Sequence, residues 1–229
     1  MKMVDYRGFK FSKLNDPQFK HLKYLLFWPI FAVVFYFLER GWPGREYTYI
    51  YSTLDDMIPF CEFFVIPYLI WFAAIFLTIV YTLLYDVKSF EMFMKFIIIT
   101  YSVAIIIYII FPNAQGLRPA EFQRDNIFTR FMKDFYEFDT NTNVCPSIHV
   151  LGAIGCMFAS WYTKHFKSIV YKIISAVICV SICLSTVFLK QHSILDVFPA
   201  IVIAVIAYFF AYKNAKVNVK RKIKKKQKA

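Results

Sequence analysis

Lys190-Gln191-His192-Ser193-Ile194-Leu195-Asp196 lies between two long apolar runs, at the point where the second of them begins. His192 and Asp196 are four residues apart, so on a helix both side chains share one face, a turn apart. A carboxylate in that position accepts a proton from one imidazole nitrogen and leaves the other free, oriented and more basic, which is how a histidine becomes a nucleophile or a base. The alternative is a helix-end polar pair, with His192 capping and Asp196 paired to Lys190. Ionisable groups next to an apolar span are costly and usually functional, and that favours the first reading.

The rest of the chain supplies the membrane. Of its 229 residues 59% are hydrophobic and 21% aromatic, with only 6 Gly and a mean hydropathy of +0.49. A soluble domain of this length cannot hide so much apolar surface, so the expectation is an all-α, polytopic integral membrane protein. The formal net charge of +12 does not indicate nucleic acid, because the basic residues collect at the chain ends and in short loops, as beside an anionic membrane surface. The five cysteines lack metal-ligand spacing. Three lie within apolar runs, where a thiol is a small filler; Cys61 and Cys145 are read as two free thiols, with a bridge as the alternative. No cleavable signal peptide is evident.

Six apolar segments, at about 24–39, 63–85, 93–111, 147–162, 169–188 and 193–212, approach the ~20 residues that a spanning helix needs. In the fourth, the shortest, Gly152 and Gly155 would let neighbouring helices approach closely. Residues 1–23 read as a basic cytoplasmic arm, 24–212 as the six-helix membrane domain and 213–229 as a cytoplasmic tail. Within the tail, Lys220-Arg221-Lys222-Ile223-Lys224-Lys225-Lys226 is a polybasic strip for anionic lipid. With both termini inside, the inner segments hold 20 of the 27 Lys+Arg, the asymmetry expected of cytoplasmic loops. The longest outer connection, 112–146, is rich in Phe and Tyr and predicts an amphipathic helix at about 121–136. Asp55 and Asp56, in the other long outer loop, read as an exposed helix-cap pair rather than acceptor-binding groups. Asn113 and Gln115 read equally as headgroup contacts or as loop hydrogen-bonders.

Alternating topology brings three clusters to one face: Gly116-Leu117-Arg118-Pro119, Cys145-Pro146-Ser147-Ile148-His149, and Lys190 to Asp196. Arg118, Ser147, His149, Lys190, His192 and Asp196 together would make a compact cationic site suited to phosphoryl transfer. Fixed donors there stabilise the charge on the transferring group. Arg gives paired phosphate contacts, and Ser147 opens a helix whose N–H groups can meet an anion. One histidine attacks phosphorus while a second protonates the leaving oxygen, at an unperturbed pKa of roughly 6.5. The bland alternatives are a helix-start His149 bonded to a loop carbonyl, an Arg118 snorkelling to headgroups and a Lys190 that anchors at the interface.

These residues resemble the type-2 phosphatidic acid phosphatase superfamily, whose signature is Lys-x6-Arg-Pro, Pro-Ser-Gly-His and Ser-Arg-x5-His-x3-Asp. Arg118-Pro119 matches the end of the first part, Pro146-Ser147-Ile148-His149 the second apart from Ile148, and Ser185, His192 and Asp196 the third. Phe111 stands where the first part has Lys and Thr186 where the third has Arg; Lys190 would restore one charge from a new position. Pro-Ser-Ile-His, Lys-Gln-His-x3-Asp and Leu54-Asp55-Asp56-Met57-Ile58-Pro59-Phe60 look closest to the branch that includes inositolphosphotransferases and sphingolipid-type synthases. The resemblance covers roughly residues 50–212 and implies a six-helix bundle with an outer-face active site. It also implies His192 as nucleophile through a phosphohistidine, Asp196 as its orienter, His149 as general acid, Arg118 and Ser147 on the phosphate, and no metal or other cofactor. The expected partners are a lipid phosphate and membrane lipids, in a bacterial plasma membrane with the site facing outward. The competing expectation is a non-catalytic lipid-phosphate-binding or transport protein on the same fold. A channel fits poorly, since no helix carries a continuous polar stripe.

Overall fold

A computed structural model describes residues 3–40 and 42–213, so the polybasic strip at 220–226 lies outside the described residues. In chain order the helices are α1 (Phe27–Arg40), α2 (Thr53–Met57), α3 (Val65–Tyr85), α4 (Val87–Ile110), α5 (Ile127–Phe138), α6 (Ile148–Tyr162), α7 (Ile169–Phe188) and α8 (Ile194–Tyr208). Among the described residues the sheet content is one parallel pair of two-residue strands, β1 (Thr48–Tyr49) and β2 (Asn113–Ala114), with an isolated antiparallel bridge from Ala114 to Thr142; the pair ties the two long loops together.

Among the described residues five helical stretches are long and apolar enough to cross a membrane: Lys20–Arg40, Glu62–Tyr85, Val87–Ile110, Ile169–Phe188 and Ile194–Lys213; α6 is apolar but shorter. Their apolar side chains are divided between core and periphery. α4 is the most deeply buried of these five, with Phe90, Phe93, Met94, Phe96, Ile97, Tyr101 and Tyr108 in the core, while its charged residues Lys88, Glu91 and Lys95 fall on one face of its first turns. The outward faces of α1, α3, α7 and α8 expose Ile30, Val33, Phe76, Leu77, Val177, Val180, Val202 and Val205. Such a belt is far beyond what a water-facing surface carries, and lipid is its solvent. The chain is a multi-pass membrane protein.

α6 approaches α3 and α4 closely at two positions that lack a side chain. A Cβ on Gly152 would meet Trp71 Nε1 and Tyr101 Oη at 2.7 Å, and one on Gly155 would meet Phe96 Cδ1 at 3.1 Å. Gly152→Ala is therefore expected to cost about 1–3 kcal/mol of stability by overpacking, and Gly155→Ala less, because aromatic edges yield. Thermal unfolding in detergent checks this; a Gly152→Ala protein as stable as the parent would contradict the packing.

Helix ends are set by local capping. Asp86, the one residue between α3 and α4, accepts from Ser89 N (3.4 Å), Thr163 Oγ1 (3.1 Å) and Lys164 N (3.0 Å). That cap starts α4 at Val87, six residues before the apolar run at 93. The amphipathic helix expected at about 121–136 is found at Ile127–Phe138, because Asn126 and Thr129 form a capping box there. α5 docks Met132, Phe128 and Phe135 on Val65, Tyr68 and Leu189. The N-terminal arm folds against the opposite end of the bundle: Val4 N donates to Leu84 O, and the Tyr6 hydroxyl reaches Leu83 O and His21 Nε2, each at 2.8 Å. All five cysteines are free.

Candidate active site

The three clusters singled out by sequence lie at one end of the bundle, where α4 and α7 end and α6 and α8 begin. Two buried tyrosines of α4 hold the entry to α6, Tyr108 donating to Pro146 O (2.6 Å) and Tyr101 to Ile148 O (3.3 Å). Asn113 completes the support, accepting from Val144 N and Cys145 N and donating to Cys145 O. Asn113 and Gln115 are thus loop-builders; Gln115 Nε2 donates to Lys190 O at 2.8 Å.

His192 sits just before α8, and Asp196 in its first turn. His192 Nδ1 lies 3.1 Å from Asp196 Oδ2, which also accepts from Ser193 N at 3.0 Å. His192 Nε2 faces His149 Nδ1 at 3.3 Å. With His192 Nδ1–H donating to Asp196, Nε2 is the acceptor, and the hydrogen between the rings belongs to His149. Asp196, His192 and His149 so form one continuous chain of contacts, all three buried. His149 is packed against Trp71 and Tyr68, with ring centroids 4.5 and 4.7 Å away. The Cys145 thiol lies by the Asp196 carboxylate; burial first, and then that negative charge, push it up to about 12.

The other expected site residues point elsewhere. Ser147 caps α6 through Val150 N (3.4 Å), and its own N–H donates to Asp196 O (3.2 Å), so it braces the site through the backbone. Arg118 donates to Tyr136 O (2.6 Å), Asp139 O and Gln191 Oε1 (2.6 Å), with its guanidinium 4.4 Å from the Tyr136 ring centroid. It therefore reaches the histidine pair only through Gln191, the neighbour of His192. Burial lowers the Arg118 pKa, and Asp139 is the largest opposing influence. Lys190 is not brought to the pair. Its ammonium donates to Asp55 O (2.6 Å) and Ile58 O, in a separate cleft lined by Tyr49, Tyr51, Asp55 and Asp56. Asp55 itself is buried, not exposed as expected, because Ser193 and Ile194 bond its carboxylate; its capping role is as read, in a capping box with Ser52.

Both histidines open on a cavity of about 830 Å³ between α1, α3 and α5. Trp28, Phe31, Phe35, Trp71 and Phe72 make its apolar wall, and Glu39, Arg40, Asp139 and Gln191 its polar rim. Tyr68 and Asp139 carry no mark in the sequence, and Gln191 stood out only as part of the Lys-Gln-His pattern, with no role of its own. Asp139 Oδ2 accepts from the Tyr68 hydroxyl (2.6 Å) and Gln191 Nε2 (3.2 Å). Burial pushes the Asp139 carboxyl above the usual range, against the pull of Tyr68, His192 and Arg118. Among the described residues no group of three His, Cys, Asp or Glu is placed to hold a metal ion. No protein-family model, curated protein or solved structure matches the chain.

Proposed function

We propose that the chain is a membrane enzyme that removes or transfers the phosphoryl group of a lipid phosphate or pyrophosphate through a phosphohistidine on His192. It would work in the manner of the type-2 phosphatidic acid phosphatase superfamily that its motifs resemble. The observation that carries this reading is the Asp196, His192, His149 chain of contacts, 3.1 and 3.3 Å long, at the wall of an apolar cavity. A non-catalytic binder has no use for a carboxylate-oriented imidazole facing a second imidazole.

In the proposed first step Nε2 of His192 attacks phosphorus, forming the N–P bond as the bond to the lipid oxygen breaks, and that oxygen takes a proton from the His149 imidazolium, which is left neutral. In the second, water or an alcohol attacks the phosphohistidine, the N–P bond breaks, and the nucleophile's proton returns to His149. Asp196 holds the His192 ring throughout and stabilises the positive charge the ring carries while phosphorylated. In-line attack needs phosphorus about 3–3.5 Å from the nitrogen and the leaving oxygen about 2.6–3.2 Å from its donor. The 3.3 Å between the two ring nitrogens accommodates neither, so His149 withdraws as phosphate enters. A phosphate oxygen replaces Gln191 on the Arg118 guanidinium, and the lipid tail lies in the aromatic cavity.

The proposed topology has six crossings, α6 joining the five longer ones as the fourth in chain order, with both termini cytoplasmic and the site outward in a bacterial plasma membrane; the Lys+Arg asymmetry supports that orientation. At 1.5 Å per residue a helix of α6's length reaches only about 22 Å, against a ~30 Å core. This would sink His149 to the depth where lipid phosphate esters start. The test is to supply the purified protein with phosphatidate, a polyprenyl pyrophosphate and a headgroup-donor lipid, with and without an alcohol acceptor. Phosphate release or transfer from at least one is expected; binding without turnover would leave the non-catalytic reading in its place.

A further inference from the structure

Nothing in the chemistry above uses α2, yet this short helix is bonded to the catalytic segment from both sides. The Asp55 carboxylate is buried and reaches across 138 residues of sequence. Its Oδ2 accepts from the Ser193 hydroxyl at 2.6 Å and from Ser52 N at 2.9 Å, and its Oδ1 accepts from Ile194 N at 2.8 Å. Ser193 and Ile194 are two of the three residues between His192 and Asp196. The Ser193 amide, on the same residue, donates to the Asp196 oxygen that holds the His192 ring. In the opposite direction the Lys190 ammonium, two residues before His192, donates to the carbonyls of Asp55 and Ile58. Lys190 itself has φ +53°, a left-handed conformation that a lysine rarely adopts, and such a backbone persists only where its surroundings hold it.

We propose that Asp55 and Lys190 form a two-way clamp that fixes the turn from residue 190 to 196, so that Asp55 is a positioning residue for His192 and Asp196. The inference rests on the function proposed above. The physical case is one of direction. A helix N-terminus with a free serine rotor can present Asp196 Oδ2 to His192 in several ways. With the Ser193 hydroxyl and the Ile194 amide both committed to one carboxylate, the peptide plane between 193 and 194 is set, and the amide on Asp196 with it. The lysine closes the clamp by holding the α2 backbone against the same turn. The clamp touches neither the cavity nor the space between the two histidines, so its loss should disturb orientation and leave substrate binding alone.

The experiment has two arms on the full chain in lipid nanodiscs, with Asp55→Ala, Asp55→Asn and Lys190→Met. The first is amide hydrogen exchange of the 189–197 segment, read against α6 as internal reference; it requires no activity. Exchange in that segment is expected to rise about tenfold or more as local opening becomes easier, with α6 unchanged, and in the order Ala, then Asn, which keeps an acceptor for Ile194 N. The second is turnover of whichever lipid phosphate the wild type accepts: kcat should fall about 100-fold in Asp55→Ala, the scale of a 1 Å misplacement of reacting groups, at an unchanged KM. Lys190→Met keeps the test open if Asp55→Ala does not fold. Unchanged exchange would overturn the clamp, and so would faster exchange with unchanged kcat. A raised KM at unchanged kcat would make Asp55 a substrate contact and would also overturn it. A wild type that turns over none of the lipids, with exchange behaving as expected, would refute the proposed function and leave only a structural tie.

Discussion

His192→Ala is expected to lower turnover of the accepted lipid phosphate by roughly 10⁴-fold or more, the scale on which removal of an enzymatic nucleophile acts, and to abolish a trapped phosphoenzyme. The wild type, quenched in alkali after mixing with labelled substrate, should carry an acid-labile label on the peptide that contains residue 192. The variant needs a control for folding. Asp196 is fully buried, and His192→Ala removes its imidazole partner, leaving Ser193 N at 3.0 Å on the same oxygen. An uncompensated buried charge of that kind destabilises strongly. His192→Asn meets this, because its amide can donate to Asp196 while offering phosphorus no nucleophile. Both variants should lose the label, and His192→Asn should keep the thermal midpoint of the parent more nearly than His192→Ala. A label that persists in either, or turnover within tenfold of wild type, would remove His192 from the chemistry.

The helices were readable because lipid demands long apolar runs, and those runs mark most of their own limits to within a few residues, the start of α4 excepted, where the Asp86 cap extends the helix six residues before the run. The pairing of His192 with Asp196 was readable because helical periodicity converts a spacing of four into a shared face. The bundle end shared by His149 and His192 followed from alternating direction of the helices. What could not be read is where long side chains end. Arg118 and Lys190 both donate to main-chain carbonyls, of Tyr136 and Asp139 in one case and of Asp55 and Ile58 in the other. A carbonyl is present at every residue and leaves no mark on the sequence. Asp55 was misjudged as exposed for a related reason: the donors that bury it are a serine hydroxyl and an amide 138 and 139 residues away. The aromatic box around His149 was hidden by abundance, since Tyr68 and Trp71 are two among 47 aromatic residues and only the packing of α3 on α6 selects them. Helix α5 began later than its hydrophobic pattern because the Asn126 cap outweighed periodicity.

The role assigned to His149 makes the most discriminating expectation. A general acid matters in proportion to how badly the leaving oxygen needs a proton. A lipid alkoxide leaves poorly without one, whereas a nitrophenolate leaves readily. With His149→Gln, which preserves most of the volume beside Trp71 and Tyr68, phosphorylation of His192 by a lipid phosphate should fall about 10²–10⁴-fold. Phosphorylation by nitrophenyl phosphate should be nearly untouched. The second half-reaction behaves differently, because water attacking the phosphohistidine must give up its proton to the same imidazole whichever phosphate was used. The variant given nitrophenyl phosphate should therefore release a burst of about one nitrophenolate per enzyme and then stall, with the label held on His192. Given a lipid phosphate it should show neither burst nor label. A residue that only bound phosphate would slow both substrates alike and would produce no burst. Equal losses on the two substrates would accordingly move His149 from the acid to the binding wall, where its contacts with Trp71 at 4.5 Å and Tyr68 at 4.7 Å would be its whole function.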